Sequence, residues 1–511
     1  MAWQRLSNFE YAGYISDIDA HLLPPNTLSR IENAHVDDGV VKRYSGYREI
    51  QTLPVPPFWL LAGGFGTPWV LAAGASSVYS ITGNGATNVS SAAIAATTVE
   101  PNAWTGTVLH GLGVVNNYAA IPHYWAGSGA VAGLTNWPAN TYCKTLRGFK
   151  NFLFAGWLRE NGTEYPTVVR WSHPADPGAV PSSWDYTDTT KDAGRTTLSE
   201  TPGEIVDMLS SGETFHIYKE DCIYDVVYIG GVYVFRFTPR HYQFGLMARN
   251  CAKSYFGRAF AFGTDDIVVH LGNELKSIAS RAIRRRIFNA VNPSYRKRCF
   301  TAFDPVNKEI LFCVPKNSGY PDYAFTYNPQ TEKWGERDLP QVGHLEVGKT
   351  TFDAGGTWDN ASTTTWDNFN SPWGESIVLD AQLFAAGVGA SKLFAINEAE
   401  TLAGVNITAL VERKSIDFPS TDSAGRIMFV SRVRPNIIAN AGVTVQVQIG
   451  SQMKITEAVN WSPAQDFVVG TTRDLNFRVN GRYLSWRVSA TGNAPWQLES
   501  LDFDLRAGAM W

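Results

Sequence analysis

The residues best suited by type and spacing to do chemistry are Gly343 to Thr350, GHLEVGKT, which satisfy the phosphate-loop pattern of glycine, four residues, then Gly-Lys-Thr. That pattern works when a strand delivers glycine amides onto phosphates and a helix begins at the lysine. Here Pro340 lies upstream, Glu346 would set a carboxylate among the phosphates, and the following TFDAGGTWDNASTTTWDN cannot read as a helix. Nucleotide binding is therefore not expected.

The next segment, TFDAGGTW at 351–358, resembles the Asp-box hairpin of sialidase-like propellers, and T-W-D-N recurs at Thr357 and Thr365. In such a box an Asp side chain bonds backbone amides in a turn while the Trp packs on a neighbouring strand, so it is a folding element. Glycoside cleavage would need two convergent carboxylates. Nine histidines are scattered without H-x-x-x-H or H-E-x-x-H spacing, and G-x-S-x-G is missing. No catalytic residue, metal ligand or cofactor follows from the sequence.

Charge distribution carries the sharper signal. Lys276 to Arg298 holds eight Lys/Arg and no acid, while Asp185 to Asp225 holds ten acids and three bases. A basic run of this kind is either a solvated face, where exposed ion pairs count for little, or a docking surface for an acidic neighbour or for DNA phosphates. Only Phe288 and Tyr295 interleave with it, which is thin for single-strand stacking. The candidate docking residues are Arg281, Arg284, Arg285, Arg286, Arg296, Lys297 and Arg298.

These residues must be positioned by a β-rich scaffold. The chain has 511 residues with 44% hydrophobic, 18% charged and 13% aromatic side chains, including 17 Trp, and a formal charge of −4. Such a chain can bury a large core and does not attract nucleic acid by bulk charge. Short runs such as WVLAAG, SVYSI, FKNFLFAGW, TVVRWS, CIYDVVYIGG and EILFCVP, divided by glycines, predict hairpins every 10–20 residues or so. The expected class is all-β: a propeller with an additional peripheral β domain. Leu275, Ile278, Ala279, Ala282, Ile283 and Ile287 recur at helical spacing and predict one amphipathic helix over 274–290. The expected organisation is an N-terminal arm and first strands at 1–50, a propeller region at 51–400, and a C-terminal β region at 401–511, either a sandwich or closing propeller strands. Within the propeller region, 51–143 carries a single charge, Glu100, and is expected to be buried in the propeller or at subunit contacts. Five scattered cysteines without C-x-x-C predict buried free thiols. The opening MAWQRLSNFEYAG has no apolar stretch, so no leader is expected, and glycines interrupt the uncharged 58–81 too densely for a membrane span.

Taken in order, several segments resemble one family. These are YAGYISDIDAHLLPPNTLSRIENAHVDDGVVKRYSGY (11–47), LRGFKNFLFAGW (146–157), VVRWSHPADPGAVPSSWD (168–185), DAGRTTL (192–198) and GEIVDML (203–209). IYKEDCIYDVVYIGG, YVFRF, AFGTDDIVVHLG, RRRIFNAVN, DPVNKEILFCVP and YNPQTEKW (327–334) continue the pattern, and GRYLSWRV with PWQLESLDFDLRAG fits it near the C-terminus. The sequence is thereby similar to the tail nozzle of short-tailed bacteriophages, also called tail tubular protein B or the packaged-DNA stabilisation protein. The resemblance implies a non-enzymatic, propeller-containing subunit, made in the host cytoplasm and built into the virion tail as a six-copy ring. Its implied partners are further copies of itself, the head–tail adaptor above, and tail fibre, spike or needle proteins. Double-stranded DNA would pass through without sequence-specific binding. The basic run is then expected to dock on a neighbouring copy's 185–225 region or on the adaptor rather than line the channel. A propeller that binds or hydrolyses glycans is the alternative.

Overall fold

The computed structural model describes residues 2–510 except 66, 83–84, 232, 273, 350, 354–375, 379–380 and 419–425. Strands account for 55% of the chain and helix for 5%, so the all-β expectation holds. Five consecutive four-stranded antiparallel sheets run from Trp59 to Ser277, each a meander of neighbouring strands. A sixth set of four, Phe300–Asp338, starts a ten-stranded sheet. A seventh, starting an eleven-stranded sheet, takes Val342–Gly348, Gln382–Gly387 and Lys392–Ile396 and adds Tyr47–Thr52 from the N-terminal part of the chain.

Tight turns make this regular. Asp38–Gly39 and Asn161–Gly162 both place two successive residues at positive φ (51° and 81°, 49° and 84°), the primed hairpin geometry whose twist matches the flanking strands. Between turns, strands that are apolar on both faces, such as Phe152–Glu160, pack against the next sheet. Phe149, Phe154, Phe215 and Phe235 form one such layer between the third and fourth sheets, with Phe149 and Phe215 stacked at 5.3 Å. All five cysteines are buried as free thiols.

The first strands of the seven sets are Trp59–Phe65, Thr105–Leu109, Thr141–Phe149, Ile205–Ser211, Ala252–Tyr255, Phe300–Asp304 and Val342–Gly348. Each lies against the next, and the last lies against the first, although no sheet closes by hydrogen bonding.

The sixth and seventh sheets continue into a two-layer β unit. Ala34 pairs with Glu336 and leads through Val40–Arg43 to Trp496–Met510, Arg426–Ala439 and Leu475–Gly481, with Ala2–Ser7 on Trp496–Met510. The other layer joins Val405–Ile416, Tyr483–Gly492 and Thr444–Gln452, with Arg30–Glu32 added at its side. Val411, Ile449, Trp486 and Val488 of one layer share a core with Val430, Val433, Leu498 and Phe503 of the other. The strands within residues 2–43 are therefore paired into the two layers of the C-terminal unit.

The helix expected at 274–290 is shorter. Glu274–Ser277 is the fourth strand of the fifth sheet, pairing Val268 with Ser277 and Leu271 with Glu274, and the helix runs Ser280–Ala290. Leu275 and Ile278 mimic helical spacing, but the free edge of Ile267–Leu271 claims the segment as a strand. A short 3-10 helix, Pro293–Arg298, follows.

Candidate functional site

The basic helix lies in the link between the fifth and sixth sheets. Ile283 and Ile287 are fully buried, and Phe288 packs on Phe262 at 5.7 Å, which turns Arg284 and Arg285 outward. Its residue before the first turn, Ala279, offers no side-chain cap. The Asp17 carboxylate instead accepts hydrogen bonds from the amides of Arg285 (2.5 Å) and Arg286 (3.1 Å). The Ala282 carbonyl, which would ordinarily serve the Arg286 amide, accepts from the amides of Ser16 and Asp17 at 2.8 and 3.0 Å. The N-terminal segment is thus inserted into the helix ladder and caps its second half. Asp17→Ala should cost about 1 kcal/mol, a typical cap loss, and faster amide exchange at Arg285 and Arg286 checks it.

A cleft of about 990 Å³ opens beside the helix, with Met247, Phe288 and Val291 as apolar lining and Arg284, Arg285 and Arg296 among its charged residues. The seven candidate residues divide sharply. Arg286 points inward and donates to both oxygens of the fully buried Glu336 at 3.1 and 3.0 Å; Tyr14 donates to the same carboxylate at 2.7 Å, and Tyr323 completes the set. The hydrogen bond to Glu336 raises the Arg286 pKa above its ordinary value despite partial burial. Arg298 donates to the Gly319 carbonyl at 2.7 Å and stacks 4.6 Å from the Tyr320 ring. These two arginines are committed within the chain and do not fit the docking expectation. Arg284 is 3.9 Å from Asp266 and half exposed, a weak pair. Arg285, Arg296 and Lys297 are exposed and have no side-chain partner among the described residues. Arg281 lies in the first helical turn, with its side chain outside the described residues.

The acidic segment divides the same way. Asp207 is held by Arg147 (2.7 Å) and Thr145 (2.6 Å), Asp225 by His216 (2.8 Å), and Glu213 by Lys150 (2.7 Å). Of the acids without a basic partner among the described residues, Asp185, Asp188 and Asp192 lie in the tongue 185–192, between the third and fourth strands of the third sheet, and exposed Glu200, Glu220 and Asp221 lie outside it. Asp185 and Asp188 each fold back on a threonine two residues on, Thr187 and Thr190, and those hydrogen bonds lower both carboxyl pKa values. In an up-and-down meander, a connection between third and fourth strands lies at the opposite end from the link to the next sheet. The tongue and the basic helix therefore occupy opposite ends of similarly arranged sheets.

The phosphate-loop match has no loop. Val342–Gly348 is a strand paired with Gln382–Gly387, and Glu346 binds Lys253 at 3.0 Å. Gly343 serves a close approach instead, since a Cβ there would meet the Phe58 carbonyl oxygen at 2.4 Å. Of the Asp-box-like segment, Thr351–Asp353 pairs with Ser376–Val378, and the rest lies outside the described residues. Among the described residues no three His, Cys, Asp or Glu side chains are placed to hold a metal ion, and no helix is long and apolar enough to cross a membrane.

The sequence gives no signal for the polar side chains where the seven first strands meet. Lys253 of the fifth sheet reaches Glu346 of the seventh. Arg147 of the third contacts the Gly106 carbonyl (3.0 Å) of the second, Asp207 of the fourth and Asn250 (2.7 Å). Arg249 donates to the carbonyls of Ala103 and Lys144, both at 3.2 Å. Arg147 ties neighbouring sheets together, Lys253–Glu346 spans from the fifth to the seventh, and between them is left a space of about 260 Å³. A duplex whose major groove alone is about 12 Å wide cannot pass there. No known protein family matches the chain, and neither does any curated protein.

Proposed function

We propose that the chain is the tail nozzle subunit of a short-tailed phage: a seven-bladed propeller carrying a two-layer β domain, working as one copy in a ring. The ring extends the portal–adaptor channel, retains packaged double-stranded DNA and passes it during ejection. The cyclic order of the seven first strands supports the propeller, with Tyr47–Thr52 completing the last blade from the N-terminal side. The role is structural and non-enzymatic, the place of action is the virion tail, and the ring is six-fold with the adaptor above.

The observation that carries the ring is the pair of uncommitted, opposite charge clusters at different ends of the subunit. Arg285 and Arg296 border the cleft, with exposed Lys297 next in the chain, and Asp185, Asp188 and Asp192 lie on the tongue beside half-exposed Tyr186. Joining two such non-identical surfaces is head-to-tail association, which closes into a ring when the rotation permits. The packed polar centre of each subunit means that a DNA channel belongs to the ring as a whole.

Arg285→Glu combined with Arg296→Glu should weaken self-association by roughly tenfold or more, and Asp185→Lys with Asp188→Lys in the same chain should restore it. Native mass and sedimentation measure this. Unchanged assembly in the Arg285/Arg296 variant would leave the basic helix a solvated face and defeat the docking assignment. Hydrolysis of host surface polysaccharide by the purified chain would defeat the nozzle reading itself.

A further inference from the structure

The space at the meeting of the first strands has the character of a ligand site. It is lined by residues of all seven sheets, among them Trp59, Thr107, Arg147, Ser210, Lys253 and His344, and its 260 Å³ lies just below the about 300–1,000 Å³ range of small-molecule sites. An adjoining apolar space of about 540 Å³, sharing Ala62 and Val108 with it and bordered by Gly63, Pro68 and Val347, provides a way in.

Two of the lining side chains hold a buried nitrogen without a partner. Trp59 is 3% exposed and its Nε1 finds no acceptor, while His344 is 6% exposed and its Nδ1 bonds to nothing. Their rings lie 5.9 Å apart. Burial, with Lys253 and Arg147 close by, holds the His344 pKa well below the usual histidine value, so the ring is neutral. Either nitrogen of a neutral imidazole donates or accepts according to its tautomer, so the unpartnered Nδ1 can take a hydrogen bond of either sense beside the Trp59 donor. Leaving two such groups dry and unpaired is costly, so a polar occupant is favoured. Thr107 and Ser210 add two hydroxyl side chains to the lining.

The charges around the space are already matched. Arg147 forms a two-pronged pair with Asp207 at 3.0 and 2.7 Å, and Lys253 meets both oxygens of Glu346 at 3.2 and 3.0 Å. An anion or a cation would have to break one of these bridges, and a purely apolar molecule would leave Trp59 and His344 unsatisfied. A hydroxyl both donates and accepts, so a molecule with several hydroxyls can serve Trp59, His344, Thr107 and Ser210 together. Leu61, Val108 and Leu209 supply the apolar contact for its C–H face. We propose that this axial space binds a neutral polyhydroxyl compound of monosaccharide size or smaller. The inference stands independently of the ring assembly.

Isothermal titration and thermal unfolding of the full chain with D-glucose, D-galactose, D-mannose, myo-inositol and glycerol test it, with acetate, phosphate and glycine as ionic comparisons. At least one polyol should bind saturably and with stereochemical preference. Trp59→Phe, which keeps an aromatic ring and removes the N–H, should weaken that binding about tenfold, the loss of one good hydrogen bond. If Trp59→Phe fails to fold, Ser210→Ala serves as the second variant and should weaken binding in the same direction. Sugars also raise unfolding temperatures by exclusion from protein surfaces. A rise that does not saturate and is equal in parent and variant overturns the proposal. So does binding by an ionic probe alone, or the lack of any saturable heat with all five polyols.

Discussion

Arg286→Ala should lower the unfolding midpoint with a loss of about 3 kcal/mol. The reason is its partner: Glu336 is fully buried, and Arg286 supplies its only cationic contact among the described residues. Removing one member of a buried pair leaves a charge without compensation and costs about 3–5 kcal/mol. The lower end applies because the Arg286 side chain is one-third exposed and Tyr14 and Tyr323 continue to donate. The loss has a diagnostic companion. Arg286→Met together with Glu336→Leu removes both charges and should recover most of the stability, since well-packed apolar replacements of buried pairs are often neutral. A denaturation midpoint for Arg286→Ala indistinguishable from the parent would show that the carboxylate does not depend on this arginine. The distinction bears on function, because Arg286 falls within the basic run yet holds the helix to the sixth sheet. Only its neighbours are free to dock.

The second large effect is an acid limb of stability that begins near neutral pH. His270 is 4% exposed, and burial together with neighbouring His216 and His241 lowers its pKa to about 2. Its surroundings are crowded with titratable groups: the Tyr218 hydroxyl is hydrogen-bonded to its Nε2 at 3.1 Å, the His216 ring lies 4.3 Å away and carries Asp225, and Arg240 lies 3.6 Å from that same carboxylate. The folded chain keeps His270 neutral, whereas the unfolded chain takes up a proton below about pH 6.5. Because the folded pKa is the lower one, stability falls progressively as pH drops from about 6.5 towards 2. Each such group contributes up to about 1.4 kcal/mol per pH unit. His344, His123 and His241 are shifted in the same direction by burial, so the slope exceeds that of one residue. His270→Gln, which can still hydrogen-bond Tyr218, should recover about 3 kcal/mol relative to the parent between pH 6.5 and 4.5. Parallel stability-versus-pH curves for the two proteins would contradict this account of the fourth and fifth sheets.

The all-β class was legible because alternating and doubly buried strands such as Phe152–Glu160 leave a direct trace in residue order, and turns such as Asn161–Gly162 mark their ends. The helix start was not, because Leu275 and Ile278 satisfy helical spacing while the deciding interaction is pairing with Ile267–Leu271. The +8 run was visible as composition, but its division into committed and free charges depends on Glu336, fifty residues beyond Arg286, and on Gly319 and Tyr320. The same holds for the acids: Asp207 and Asp185 look alike in sequence, yet one is buried against Arg147 and the other projects into solvent. The axial cluster left no trace at all. Arg147, Lys253 and Glu346 are far apart in the chain and line one space only because their strands begin the third, fifth and seventh sheets.

The most direct test of the nozzle assignment is electron microscopy of the purified chain, alone and with a short-tailed-phage adaptor ring. The account predicts closed six-fold rings that stack on the adaptor, with a central opening wide enough for duplex DNA and formed between subunits. Monomers that neither close into rings nor attach to the adaptor at any protein concentration would contradict it.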